Sequence, residues 1–147
     1  MQVTNKEYSE ITKKRSPNTK IGVTFTKAFL IGGAICTIGQ GFMNLYKYLG
    51  FGKTEAGALT SMTLIFISAI LTGLKLYDKM AKHGGAGTLV PITGFANAVV
   101  APALEYKTEG YILGVGAKMF TIAGPVLVFG IAASALYGIL FYMFGGF

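Results

Sequence analysis

The sequence predicts an all-α polytopic membrane protein, with regular transmembrane helices, a segment broken by glycine and proline, and a kinked last helix. Three observations predict it. Four stretches carry no charged side chain: Ala28–Tyr46, Ala56–Leu74, Gly84–Leu104 and Met119–Phe147. Apolar residues make up 52% of the chain and charged ones 13%, with a mean hydropathy of +0.57. A soluble domain carries about a quarter charged residues. The third charge-free stretch is long enough to cross a bilayer, yet it holds Gly84, Gly85, Gly87, Gly94, Pro91 and Pro102, with Thr88, Thr93 and Asn97. Backbone groups freed in hydrocarbon are costly, so broken backbone at that depth is either buried by protein or bathed by water. The expectation is a polar path for a solute.

The 147 residues suit one domain. Residues 1–22 read as a basic cytoplasmic tail. Residues 23–147 read as a single membrane domain, with spans at about 27–48, 59–76 and 119–144 and the broken segment at 84–117. In the tail, Thr4 and Glu7 have capping-box spacing, which predicts a short helix that stops before Pro17. Tyr8 and Ile11 could then touch the membrane surface; a solvated tail is the alternative. The polar stretch before the first apolar run argues against a secretion signal.

In the first span, Gly33, Thr37 and Gly41 share a helical face by four-residue spacing, and Gln40 and Asn44 share another. One reading is tight packing with amides bonded across helices. The other has Gln40 and Asn44 lining a passage. The second span is regular and apolar, a scaffold with Ser68, Thr72 and Gly73 as small packing residues. Lys75, Tyr77, Lys79, Lys82 and His83 follow at head-group level.

The broken segment offers a half-helix N-terminus at Gly84–Leu89 leading into Pro91. Gly124-Pro125 offers a second. Such ends carry partial positive charge, and with Lys107 or Lys118 nearby they would suit an anion. Simple proline kinks are the alternative. From Tyr111 to Phe144 a single helix would measure about 50 Å, against a hydrocarbon core of about 30 Å. A break is expected, either around Gly116–Lys118 or at Gly124-Pro125. A shift of 91 positions lays Lys27, Gly33, Gly39 and Leu45-Tyr46 on Lys118, Gly124, Gly130 and Leu136-Tyr137. That weak repeat would make the first and last spans pseudo-symmetric partners.

Most of the net charge of +7 lies beside the spans, in residues 1–20 and 75–82, which the positive-inside rule places in the cytoplasm. A nucleic-acid partner is not expected. Cys36 is alone, so no disulfide forms within the chain. No catalytic set, metal site or cofactor motif is present. Glu105 and Glu109 flank Lys107 in the one charge cluster of the second half. The residues assigned to a solute path are Gln40, Asn44, Thr88, Pro91, Thr93, Asn97, Glu105, Lys107, Glu109, Lys118, Gly124 and Pro125.

Four motifs carry a family resemblance: Cys36-Thr-Ile-Gly-Gln-Gly41, Val90-Pro-Ile-Thr-Gly-Phe-Ala-Asn97, Ala101-Pro-Ala-Leu-Glu-Tyr-Lys-Thr-Glu-Gly110 and Ala123-Gly-Pro-Val-Leu-Val-Phe-Gly130. Over about residues 27–145 the chain resembles the SpoVA membrane proteins of spore-forming Firmicutes. The resemblance implies movement of dipicolinic acid, with calcium, into the developing spore, and its release on germination. It implies an inner spore (forespore) membrane location. It implies partners among the other SpoVA proteins, including the soluble AD subunit and the AE-type subunit. The path residues above are read from this chain, not carried over from the family. Two other functions fit the residues: a tension- or osmotically gated channel of low selectivity, and a membrane scaffold for soluble partners.

Overall fold

The computed structural model describes residues 8–12 and 21–145. Residues 8–12 are helical (α1), and the Thr12 hydroxyl donates to the Tyr8 carbonyl at 2.7 Å. The expected capping pair Thr4 and Glu7 lies outside the described residues.

Helix α2, Ile21–Tyr48, and helix α3, Lys53–Gly73, form an antiparallel hairpin. The turn between them is set by two local devices. Gly50, at φ 94°, donates to Lys47 O while Phe51 donates to Tyr46 O, which closes the end of α2. Glu55 then accepts the Gly52 N–H at 3.0 Å, placing a carboxylate at the positive end of α3. Along the hairpin, Gly39 leaves room for Leu64, whose Cδ1 lies 3.3 Å from where a Cβ would stand. Tyr46 and Thr63 share a hydroxyl hydrogen bond of 2.6 Å. Helix α3 ends in the same closure as α2, but with Lys75 rather than glycine in the left-handed position, at φ 57°.

Helix α4, Tyr77–Gly84, and helix α5, Ala86–Leu89, meet at Gly85, whose φ is 49°. Helix α6, Ile92–Glu105, starts at Pro91, so the proline expected to begin a half-helix does so. Ser68 and Thr72 of α3 bond Thr93 and Asn97 of α6. Both pairs keep the same spacing along the chain, so α3 and α6 run in one direction. The cleft at the end of α3 is lined by Thr72, Gly73, Lys75 and Asp78 together with Ala101, Leu104 and Glu105 of α6. The broken segment therefore leaves by the end of the bundle at which α3 finished.

A 3-10 turn, Lys107–Glu109, and a π-helical turn, Tyr111–Gly116, lead into α7, Ala117–Met143. The break expected around Gly116–Lys118 or at Gly124-Pro125 does not form: the π-helical turn runs on into α7 as one helical stretch, Tyr111–Met143. Helix α7 continues through Pro125 rather than restarting there, so no helix N-terminus forms at Gly124-Pro125. Pro125 lacks an N–H, which leaves the Thr121 carbonyl without its usual partner.

The interior is small and polar, and the exterior is apolar. The buried residues include Ala56, Tyr77, Ala96 and Ala123, and also Ser68, Thr72, Thr88 and Thr93. Phe25, Phe29, Phe66, Val128 and Phe129 are exposed. Three helices, Ile21–Tyr48, Lys53–Gly73 and the continuous stretch Tyr111–Met143, are long and apolar enough to cross a membrane. With no driving force to hide apolar side chains from lipid, such bundles pack through small residues and hydrogen bonds.

Candidate functional site

The site is the polar layer where α3, α4, α5 and α6 meet. Its construction begins with glycine. A Cβ on Gly87 would run into the Ala28 carbonyl of α2, and one on Gly94 would run into the Thr88 and Leu89 carbonyls. Gly32 faces Gly87, with its would-be Cβ 3.2 Å from the Gly87 Cα. These contacts press the backbone of α5 against α2 and fold the start of α6 back over α5.

Hydroxyl groups then satisfy what the break frees. Tyr77, only 2% exposed, donates to Thr88 O at 2.7 Å, and its oxygen lies 3.1 Å from Thr93 Oγ1. Thr88 donates to Gly85 O at 2.9 Å. Ser68 donates to Thr93 O at 2.6 Å. Thr72 Oγ1 lies 2.7 Å from Ser68 O and 2.8 Å from Asn97 Oδ1. One hydroxyl proton serves one of these acceptors; with the Asn97 amide turned end for end, its N–H donates to Thr72 while Thr72 donates to Ser68 O. Among the described residues, no buried side-chain nitrogen or oxygen lacks a partner. Protein hydroxyls meet the Thr88 and Thr93 carbonyls beside the break, while Leu89 and Val90 at the break itself are exposed.

The layer continues as a polar file along the α3–α6 seam. It passes from Thr88, Thr93 and Ser68 to Thr72 and Asn97. It then opens into the cleft that carries Lys75, Asp78 and Glu105. A cavity of about 90 Å³ adjoins it on the other side, lined by Ile35, Leu64, Leu71, Met80, Ser68, Tyr77 and Thr93, among others.

The assigned path residues fall into three groups. Thr88, Pro91, Thr93 and Asn97 come together in this layer. Glu105, Lys107, Glu109 and Lys118 cluster at the far end of α6, about 20 Å from Pro91 by helical rise. Lys118 Nζ stands 4.4 Å over the Tyr106 ring, an arrangement that shields its charge from an apolar surround. The α6 N-terminus and the two lysines therefore lie at opposite ends of α6, with Lys107 in the turn after it and Lys118 at the start of α7, and do not form one anion site. Gln40 and Asn44 bond each other at 2.9 Å on the exposed side of α2, away from the break. Gly124 and Pro125 lie within α7.

Tyr77 is the residue the sequence misplaces. The expectation set it at head-group level beside the lysines, but it is buried at the centre of the layer. The signal was its spacing with Ala81 and Gly84, one helical face turned inward, while Lys79, Lys82 and His83 face out. His83 Nδ1 meets Lys79 O at 2.9 Å, so this side chain is an exposed partner of its own helix.

Fold and site together define an all-α polytopic membrane protein whose middle segment is broken, is sealed by hydroxyl groups, and returns to the end it entered. The profile of the SpoVAC/SpoVAEB sporulation membrane proteins matches residues 24–140. The chain is 46% identical over 138 residues to stage V sporulation protein AC of Bacillus subtilis (strain 168), an overlap that covers 93% of this chain and 92% of that protein. The chain belongs to the SpoVAC/SpoVAEB family of sporulation membrane proteins. No solved structure matches it.

Proposed function

We propose that this chain is a membrane subunit of the spore system that moves dipicolinic acid, with calcium, into the developing spore and releases it on germination. It is a conduit and not a catalyst. The observation that supports this reading is the polar file between α3 and α6, which leads from the break at Pro91 to a charged cleft at the end of α3. A dianion at membrane depth needs compensation, because an unpaired buried charge is very costly. The α6 N-terminus and Lys118 offer compensation at the two ends of that helix. The chain does not enclose a pore alone, since every residue of α7 from Pro125 to Met143 is exposed. The path is completed by other SpoVA proteins, in the inner spore membrane.

Flux of dipicolinate per folded complex in liposomes, measured with and without partner subunits, tests the reading. Thr93→Val and Asn97→Leu should each lower flux at least tenfold, and Lys118→Gln several-fold, while Lys53→Gln at the opposite end leaves it unchanged. Parent flux in all of the first three variants overturns the assignment.

A further inference from the structure

The outward face of α2 has the wrong composition for lipid. Thr26, Leu30, Gly33, Thr37, Gln40, Asn44 and Lys47 follow each other at alternating four- and three-residue steps. That is the seam of a heptad repeat, and every one of these positions is exposed. The bundle-facing side of α2 lies on the opposite half of the helix. Gly32 meets Gly87, Gly39 meets Leu64, and Met43 meets Thr60 there. The seam thus faces away from the described elements that pack on α2. The charge-free stretch Ala28–Tyr46 is centred on Thr37, so Gln40 sits about 5 Å from the middle of that stretch.

The polar groups on the seam are not all accounted for. Thr26 and Thr37 donate their hydroxyls to Gly22 O and Gly33 O on their own helix. Gln40 Nε2 donates to Asn44 Oδ1. That leaves Gln40 Oε1, an acceptor, and the Asn44 Nδ2 group, a donor, on an exposed surface at hydrocarbon depth. Lipid tails offer neither a donor nor an acceptor.

We infer that this seam is where a second copy of the same chain packs, α2 on α2. Two observations choose that occupant. The leftover acceptor and donor are complementary within one copy, so a two-fold axis pairs each Asn44 Nδ2 with the other copy's Gln40 Oε1. All copies also cross a membrane in one orientation, so the axis lies along the bilayer normal and the two α2 helices run parallel in register. Gly33 has nothing within 4 Å of its would-be Cβ, nor has Gly41 beside the seam, which lets the two backbones approach. The polar pair fixes the register, as a buried amide does in a coiled coil.

Disulfide trapping in liposomes holding only the purified full-length chain tests this. The background carries Cys36→Ala, and single cysteines are placed at Gly33, Thr37, Gln40 and Asn44, with Ile35 and Phe42 as inward-facing positions. Oxidation should give crosslinked dimer at the seam positions and none at the inward ones. A second variant, Gln40→Leu with Asn44→Leu, touches no other element of the chain. It should weaken self-association at least tenfold, read by single-molecule photobleaching, while leaving thermal stability in detergent unchanged. Absence of crosslinks at all seam positions overturns the inference. So does rapid reaction of cysteines at 40 and 44 with a membrane-impermeant maleimide, which would make the seam a water-lined wall. Parent dipicolinate flux in Thr93→Val, Asn97→Leu and Lys118→Gln, with self-association intact, would count against the proposed path alone, so the two readings fail separately.

Discussion

Glycines that look alike in the sequence do different work at the residue scale. Gly87 is irreplaceable because its missing Cβ is where the Ala28 carbonyl lies. Gly130, on α7, has nothing within 4 Å of the same point. Overpacking a tight site costs about 1–3 kcal/mol, and backbone cannot move aside as a side chain can. Gly87→Ala should therefore cost about 3 kcal/mol and lower the melting temperature in detergent markedly. Gly130→Ala should be neutral or slightly stabilising, since alanine is favoured over glycine inside a helix. Equal melting temperatures for the two variants would refute the close α2–α5 contact. Composition announced that the chain is rich in glycine; only the three-dimensional partner of each one tells which are needed.

Among the elements, α4 carries the clearest lesson. It is short, charged on one side, and easily read as a surface helix. Its first residue, Tyr77, latches α5 and α6 through Thr88 and Thr93. Removing a buried hydroxyl that serves a carbonyl costs about 1–3 kcal/mol, because the carbonyl is left dry. Tyr77→Phe should weaken the latch by that amount. Amide hydrogen exchange in residues 85–96 should quicken while exchange in the α2–α3 hairpin stays unchanged. Uniform quickening across the chain would mean that Tyr77 stabilises the whole bundle and not this junction.

The spans and the break at Pro91 were legible in the sequence because each rests on local rules: charge-free length, and the intolerance of helices for proline. The hydroxyl layer was not legible. Ser68 and Thr72 are ordinary small residues on their own helix, and only the parallel placement of α6 gives them partners. Pro125 shows the converse: the sequence left open whether it restarts a helix or sits within a continuous one, and the surrounding helix simply absorbs it. Of the assigned path residues, those grouped by position along the chain around Pro91 come together. Gln40 and Asn44 do not join them, because a helix face cannot be assigned to a neighbour without knowing where that neighbour sits.

At the scale of the whole molecule, α2, α3 and α7 can cross the membrane, and the segment from α4 to α6 returns to the end it left. Residues 21 and 145 then lie on opposite faces. The basic segment Lys75–Lys82 shares a face with the start of α2, which agrees with the positive-inside rule. Cysteines in a Cys36→Ala background at Lys79 and Lys107 should be labelled from the cytoplasmic face by an impermeant reagent, and one at Lys53 from the other. Labelling of positions 79 and 107 from different faces would show that α6 crosses instead of returning.

The inverted interior has a thermal consequence. The heat capacity of unfolding comes mainly from apolar surface newly exposed to water. Here the large apolar side chains already face outward, and in a bilayer they stay in hydrocarbon whether or not the helices are packed. What separation exposes is chiefly hydroxyl, amide and backbone surface around Ser68, Thr72, Tyr77, Thr88 and Thr93. The curvature of stability against temperature is then small. Such a bundle lacks the narrow optimum of a water-soluble domain and is not weakened by cold. Its helix contacts persist over a wide range of temperature, governed by hydrogen bonds and close backbone packing instead of by water.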